Sequence, residues 1–344
     1  MKLPLALLAA ILAVGPSKAS HPSTSRSSQD GSSSAPASRQ ERVPIPAGAS
    51  IIAETSRFRL VATPGASGLA AALADEVEDL RDRIASDLGR DYEGTTEVRI
   101  ADNSASFQAL QPYGRTVPSW AVGVAWPAHN LIVLNSGQGR RPNQIRQTLA
   151  HEVSHIALGR LAPNAFPRWF LEGMATYHSA EWRFTRAGTL AGAVMRDGII
   201  PFNELDRGWP DTPAEVRLAY AQSDDFVSWL FRNFGVPSIH RLIDGVVEGN
   251  SFGEAVEVAT GVPFWKLEHS WRSSLPARYT WVPAITSGGF VWGVATIVFL
   301  MAYFRKRREK SRRLAAMAEA ELMYESENSY ETHDMEPSEY DRLN

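Results

Sequence analysis

The run His151-Glu152-Val153-Ser154-His155 constrains this chain more than any other feature. It lies in 142–160, PNQIRQTLAHEVSHIALGR, whose opening proline suits the first turn of a helix. On a helix, histidines four apart project from one face, so both imidazoles can reach one ion. Neutral imidazole suits zinc, and the glutamate between the pair can act as a base toward water. The bland alternative is a surface helix that happens to carry two histidines. By composition, that pattern would arise roughly 0.01 times in a chain of this length.

A catalytic zinc site needs a third protein ligand and an open fourth position. The chain has no cysteine, so the third ligand has to be another histidine or a carboxylate. The absence of cysteine also excludes disulfide scaffolds, thiolate metal centres and thiol nucleophiles. A break with Pro163 inside it falls at 161–166, and a second helix is expected from about Pro167. His155 lies five residues before Arg160, and Glu172 lies five residues after Pro167. If the two helices fold back antiparallel, each residue sits about 7.5 Å from the turn and the two face each other. Gly173 would then allow close helix approach.

His151-Glu-Val-Ser-His155 and the later run Trp169-Phe-Leu-Glu-Gly-Met-Ala-Thr-Tyr177, with sixteen residues between His155 and Glu172, resemble the gluzincin metallopeptidases. Within them it is most similar to the peptidase-MA-like domain, related to the aminopeptidase N superfamily. The likeness runs over roughly 97–275 and takes in Ala219-Tyr220-Ala221, Gly235, Gly261, Leu267-Glu268 and Trp271. It implies that His151, His155 and Glu172 ligate Zn2+ and that Glu152 is general base and acid. It also implies that Tyr220, in the second turn of a helix capped by Thr212-Pro213-Ala214-Glu215, donates to the developing oxyanion. Aminopeptidases of this superfamily carry a Gly-x-Met-Glu-Asn motif that binds the substrate's free amine. The edge strand expected to correspond here, 129–135, has no glutamate. That departure favours an endopeptidase over an aminopeptidase.

Other residues are weighed against these. His178 is six positions past Glu172, about 240° around the helix, and so does not share the ligand face. Tyr177 reads as core and Trp169 as packing against the first helix. Thr176 is a possible contact to a ligand. Asp224 could orient Tyr220 but is better read as solvent-facing. His129, His240 and His269 are isolated.

The ends have their own character. Residues 1–19, with a lysine, a twelve-residue apolar run and small residues before Ala19, read as a signal peptide. The stretch 20–50, with nine serines in 20–38, reads as a disordered linker. Residues 279–304 carry no charge, and 283–304 is expected to be one transmembrane helix with interfacial aromatics. A basic strip at 305–313 and an acidic tail reaching 344 read as cytoplasmic. Setting aside the eight bases and ten acids of 305–344 and the two leader lysines leaves 25 bases and 28 acids. Nothing there suggests nucleic acid.

Between the ends, 51–275 reads as one catalytic body. Strands are expected at 57–63, 97–101, 120–126 and 130–135, a helix at 69–88, and helices from 142 onward. The fold class is α+β: N-terminal mixed strands packed on a mostly helical zincin-like body, followed by a single transmembrane helix. The expected function is hydrolysis of a peptide or protein substrate by a single-pass, type I membrane protein with its catalytic domain outside the cytoplasm. The missing cysteines and the leader fit a bacterial envelope protein. The competing class is a non-catalytic membrane module that keeps zinc for stability or partner binding, with the acidic tail recruiting cytoplasmic proteins under either reading.

Overall fold

A computed structural model describes residues 11–12, 42–137, 139–179, 183–280 and 288–331. The rest of the expected leader and most of the expected linker fall outside these residues, as do 281–287 and the end of the acidic tail. The chain divides into two units, 1–280 and 281–344.

The first unit is built on a mixed six-stranded sheet. Its strands are β1 (Ile11–Leu12), β2 (Ser50–Glu54), β3 (Phe58–Ala62), β4 (Thr96–Ala101), β5 (Gly123–Trp126) and β6 (Leu131–Asn135). They lie in the order β1-β5-β6-β4-β3-β2. The pairs β3–β4 and β4–β6 are parallel, whereas β2–β3 and β5–β6 are antiparallel. Alternation along each strand divides the core. Val98, Ile100, Ile132, Leu134 and Ala125 face the main core, while Ala101, Leu131, Val133, Val124 and Trp126 join a second cluster with Phe107 and Leu110.

One expectation is overturned here. The segment 129–135 is not an edge strand: β6 lies between β5 and β4. Pro127–His129 form a tight turn that ends on Asn130 at φ 48°, and this turn sends the chain back so that β5 pairs outside β6. The strand that flanks β6 on that side is therefore 123–126. Its other edge meets only the two-residue β1, Ile11 opposite Val124 and Leu12 opposite Ala125.

Helices α1 (Ser67–Ala74) and α2 (Val77–Leu88) replace the single helix expected over 69–88. After α3 (Ser104–Ala109) and the β5–β6 hairpin, the chain is helical. The elements are α4 (Pro142–Leu161), α5 (Arg168–Ser179), α6 (Arg183–Met195), α7 (Phe202–Arg207), α8 (Pro213–Phe234), α9 (Val236–Val247), α10 (Phe252–Thr260) and α11 (Phe264–Tyr279). Trp169, expected to pack against α4, reaches rings of several other helices. Its indole lies among Phe170, Phe202, Phe226, Phe252 and Phe264, drawn from α5, α7, α8, α10 and α11. Large rings from five helices interdigitate there and form the floor beneath the α4–α5 hairpin.

The second unit contains one long helix, α12 (Gly288–Glu331). Trp292, Phe299 and Met301 stand exposed along it. Among the described residues no helix is long and apolar enough to cross a membrane. The first five residues of the expected span, 283–287, lie outside the described set.

Candidate active site

Helix α4 starts where sequence chemistry puts it. Pro142 occupies the first turn, and the Gln144 side chain accepts from the Arg141 N–H at 2.9 Å. It ends at Leu161, before Pro163, and the reversal includes Asn164 at φ 58°. The Pro167 carbonyl then accepts from the N–H groups of Phe170 and Leu171, which starts α5. The hairpin brings three expected residues together. His151 Nε2 is 3.4 Å and His155 Nε2 3.5 Å from the same oxygen, Glu172 Oε2. All three side chains are buried.

This donor set fits a metal ion. Donors about 2 Å from one ion in tetrahedral geometry lie about 3.3 Å apart, close to the observed separations. Both Nε2 atoms and both oxygens of Glu172 are buried with no hydrogen-bond partner among the described residues. Buried polar groups left unpaired cost free energy, and a shared cation would satisfy them together. Burial keeps the His151 imidazole neutral by pushing its pKa down to about 4. Burial acts the other way on Glu172, but the two imidazoles close to its Oε2 outweigh it and bring that carboxyl down to about 2. Two imidazoles and one carboxylate suit zinc.

Glu152 lies beside this cluster, fully buried, and neither of its oxygens has a hydrogen-bond partner. Burial and the nearby Glu172 charge push its pKa well above the usual carboxylate range. The Ala125 amide pulls the other way without reaching a hydrogen bond. Gly123 makes the arrangement possible. A Cβ there would stand 2.6 Å from Glu152 Oε1 and 2.6 Å from the Thr148 methyl. A glycine on β5 therefore lets this strand pass directly over Glu152. The position was not singled out from sequence, because the strand that borders the site was misplaced by one hairpin arm.

Gly173 does its work elsewhere than expected. A Cβ there would meet the Ser223 carbonyl at 2.6 Å and Val227. The close approach is thus between α5 and α8. The helix α8 is capped by Thr212, whose hydroxyl accepts from the Glu215 N–H at 3.3 Å. Its Tyr220 packs edge-on against Trp209 at 5.4 Å, and Trp209 carries the Arg168 guanidinium at 4.6 Å. Arg168 Nε is 3.7 Å from Glu172 Oε1. Tyr220 is thereby linked through two side chains to the third member of the cluster. Asp224 is not solvent-facing: it pairs with Arg186 at 2.9 Å, and the Arg186 charge acts on His151.

Tyr177 stacks on Phe231, as a core residue would. His178 stays off the metal face. Its Nδ1 meets Ser154 Oγ at 2.8 Å, and its Nε2 faces Asp87 of α2 at 3.7 Å. Asp87 favours the proton on Nε2, which leaves Nδ1 to accept from the serine. This chain ties α4, α5 and α2 together behind the metal cluster. Helical spacing could have flagged Arg168, one turn before Glu172. No sequence signal joins Asp87 to His178.

Comparison with known proteins agrees with this geometry. Residues 79–277 match the Peptidase MA superfamily, and the chain belongs to that family. No curated protein matches it in sequence. Among solved structures it is similar to yeast LTA4 hydrolase in complex with bestatin, at 15% identity and a TM-score of 0.39. That match covers 66% of this chain and 37% of the hydrolase. It is also similar to the M1 zinc metallopeptidase from Deinococcus radiodurans, at 14% identity and a TM-score of 0.39, over 68% of this chain and 51% of that one. The chain thus spans between about a third and a half of these structures.

Proposed function

We propose that this chain is a zinc-dependent metallopeptidase that hydrolyses peptide bonds within a polypeptide, with its catalytic body held outside the cytoplasm by a single membrane span. One observation carries the catalytic part: four buried side chains, His151, Glu152, His155 and Glu172, converge, and among the described residues both Nε2 atoms and all four carboxylate oxygens lack a hydrogen-bond partner. A purely structural zinc site has no need of Glu152. Zinc held by His151, His155 and Glu172 would polarise the scissile carbonyl and acidify a water molecule. Glu152 takes the proton of the attacking water and returns it to the leaving amine. Its raised basicity suits that role. Tyr220, reached from Glu172 through Arg168 and Trp209, donates to the oxygen of the tetrahedral intermediate. The absence of a glutamate from β5 and from 129–135 supports endopeptidase over aminopeptidase action.

The location is read from the ends. The apolar stretch 283–304, with exposed large side chains on its described part, followed by the basic strip 305–313, supports a span with the tail in the cytoplasm. On this reading, removal of the leader takes Ile11–Leu12 off β5 and leaves that edge open to an extended peptide.

The test is metal content and turnover on the purified full chain. About one zinc per chain is expected. Glu152→Gln should keep the metal and lose hydrolysis across a peptide library. Metal-free wild-type protein after mild preparation would overturn the reading. Equal background cleavage by both proteins would favour a zinc-containing binding module. Protease added to intact cells should remove the body and spare 305–344.

A further inference from the structure

Two guanidinium groups stand near the metal cluster, and their electrical situations differ. Arg186 has a counter-charge of its own, the Asp224 carboxylate at 2.9 Å. Arg168 has only Glu172, with Nε 3.7 Å from Oε1. That oxygen is the one turned away from the histidines, which both face Oε2. Among the described residues, no other carboxylate and no hydrogen-bond acceptor meets Arg168. Its side chain is 41% exposed.

Two contacts fix the orientation of this group. The guanidinium lies over the Trp209 indole, 4.6 Å from the ring centroid, and Trp209 is held in turn against Tyr220. Neither contact uses up a hydrogen-bond donor, so the planar fork of N–H groups stays available. Such a fork matches a carboxylate with two parallel hydrogen bonds. A dication on Glu172 would consume the one negative charge that Arg168 faces among the described residues. Arg168 would then be a fixed, partly exposed cation with no partner, one helical turn from a metal ligand.

We infer that Arg168 determines specificity: it selects peptides that carry a carboxylate beside the bond to be cleaved, either an acidic side chain or the chain terminus. The inference rests on the peptidase reading above and adds the substrate class to it. Arg168 binds the substrate's anion, and Trp209 holds Arg168 in place.

The test compares matched peptides on the zinc-loaded full chain. Asp and Glu are set against Asn and Gln at each position flanking the cleaved bond, and each peptide is made with a free and an amidated C-terminus. Two hydrogen bonds to a charged group correspond to a preference of roughly ten- to a hundredfold. Wild type should show that preference in kcat/KM, mainly through KM. Arg168→Gln should bring the ratio to about one, and Arg168→Lys should retain part of it. The ratio is taken within one protein, so a general loss of activity does not mimic the result. The arm that carries the preference identifies side chain or terminus. Binding of the same labelled peptides to zinc-loaded Glu152→Gln, with and without Arg168→Gln, gives a second readout that needs no turnover. A wild-type ratio near one, or a ratio unchanged in Arg168→Gln, overturns the inference. A zinc-loaded wild type that cleaves nothing would sink the peptidase reading. The binding ratio would then still decide on Arg168: loss in the double variant upholds its role, and no preference for the carboxylate overturns it.

Discussion

Two buried carboxylate sites in this molecule are built in opposite ways. Asp225, on α8, is saturated. It accepts from Trp271 Nε1 at 2.7 Å, from Arg278 at 2.8 Å on each oxygen and from the Tyr279 hydroxyl at 2.6 Å. Glu152 and Glu172, on α4 and α5, are more deeply buried still, and their four oxygens have no hydrogen-bond partner among the described residues. The first arrangement locks the last helix of the body onto α8. The second leaves buried charge unsatisfied inside a well-packed hairpin, which natural cores rarely tolerate without a ligand. The contrast separates a polar cluster that serves the fold from one that the proposed reaction would use.

The sharpest way to break this comparison is at Glu152. Glu152→Gln keeps the shape and removes the base, so hydrolysis should fall by about 10²–10⁴-fold with unchanged zinc content. If zinc were lost as well, Glu152 would belong to the fold-serving kind. At the other site, Asp225→Ala should destabilise the chain by about 3 kcal/mol in urea unfolding, because it strands a guanidinium and an indole N–H. The same substitution should leave the affinity for zinc unchanged.

Gly123→Ala tests whether β5 sets the position of Glu152. The added methyl would push against the carboxylate and the Thr148 methyl, so kcat should drop roughly tenfold and stability by about 1–3 kcal/mol, with zinc content close to wild type. Retained kcat would show that the strand can yield.

The histidines sharpen the contrast through pH. Burial lowers His151 to about 4, and burial with the nearby His151 lowers His178 to about 3. Both lie below the ordinary value of 6.5. The unfolded chain therefore binds more protons between those limits, and stability is lost as pH falls below about 6.5. Each group contributes up to about 1.4 kcal/mol per pH unit. Metal-free protein should show this slope from pH 6.5 toward 4, and His178→Asn should make it shallower. The raised Glu152 carboxyl takes up a proton on folding over the same range and offsets part of this slope, so the difference between wild type and His178→Asn is the readout, and identical slopes would contradict the burial of that ring. The smallest effect is expected from Ser154→Ala, which removes one hydrogen bond behind the metal face. It should cost about 1 kcal/mol in stability and weaken zinc binding in a chelator competition, whereas a structural role alone would leave zinc binding unmoved.

Much of the hairpin was legible in advance. Pro142, the four-residue spacing of His151 and His155, the break at Pro163 and the restart after Pro167 are local signals, and α4 and α5 follow them. The hairpin's surroundings were less legible. The strand bordering the site was placed on 129–135 because both arms of the hairpin are equally apolar. Nothing local says which arm pairs outward. Gly173 was assigned to the wrong neighbour for a similar reason: a glycine reports that something comes close, and the sequence does not say what. Asp224 was read as exposed because the residue it pairs with, Arg186, lies on a different helix.

The sequence alone determined the chemistry available to this protein. With no cysteine, its metal ligands could only be histidine and carboxylate, and helical periodicity put two of them on one face. Tertiary structure decided the rest: that Glu172 Oε2 sits between both imidazoles, that β5 passes over Glu152 at a glycine, and that Arg168 is pinned on Trp209 beside a metal ligand. Periodicity is a property of one segment and can be read from it. Contact between segments depends on how the core packs around the aromatic rings of five helices, and that is set by the whole chain at once.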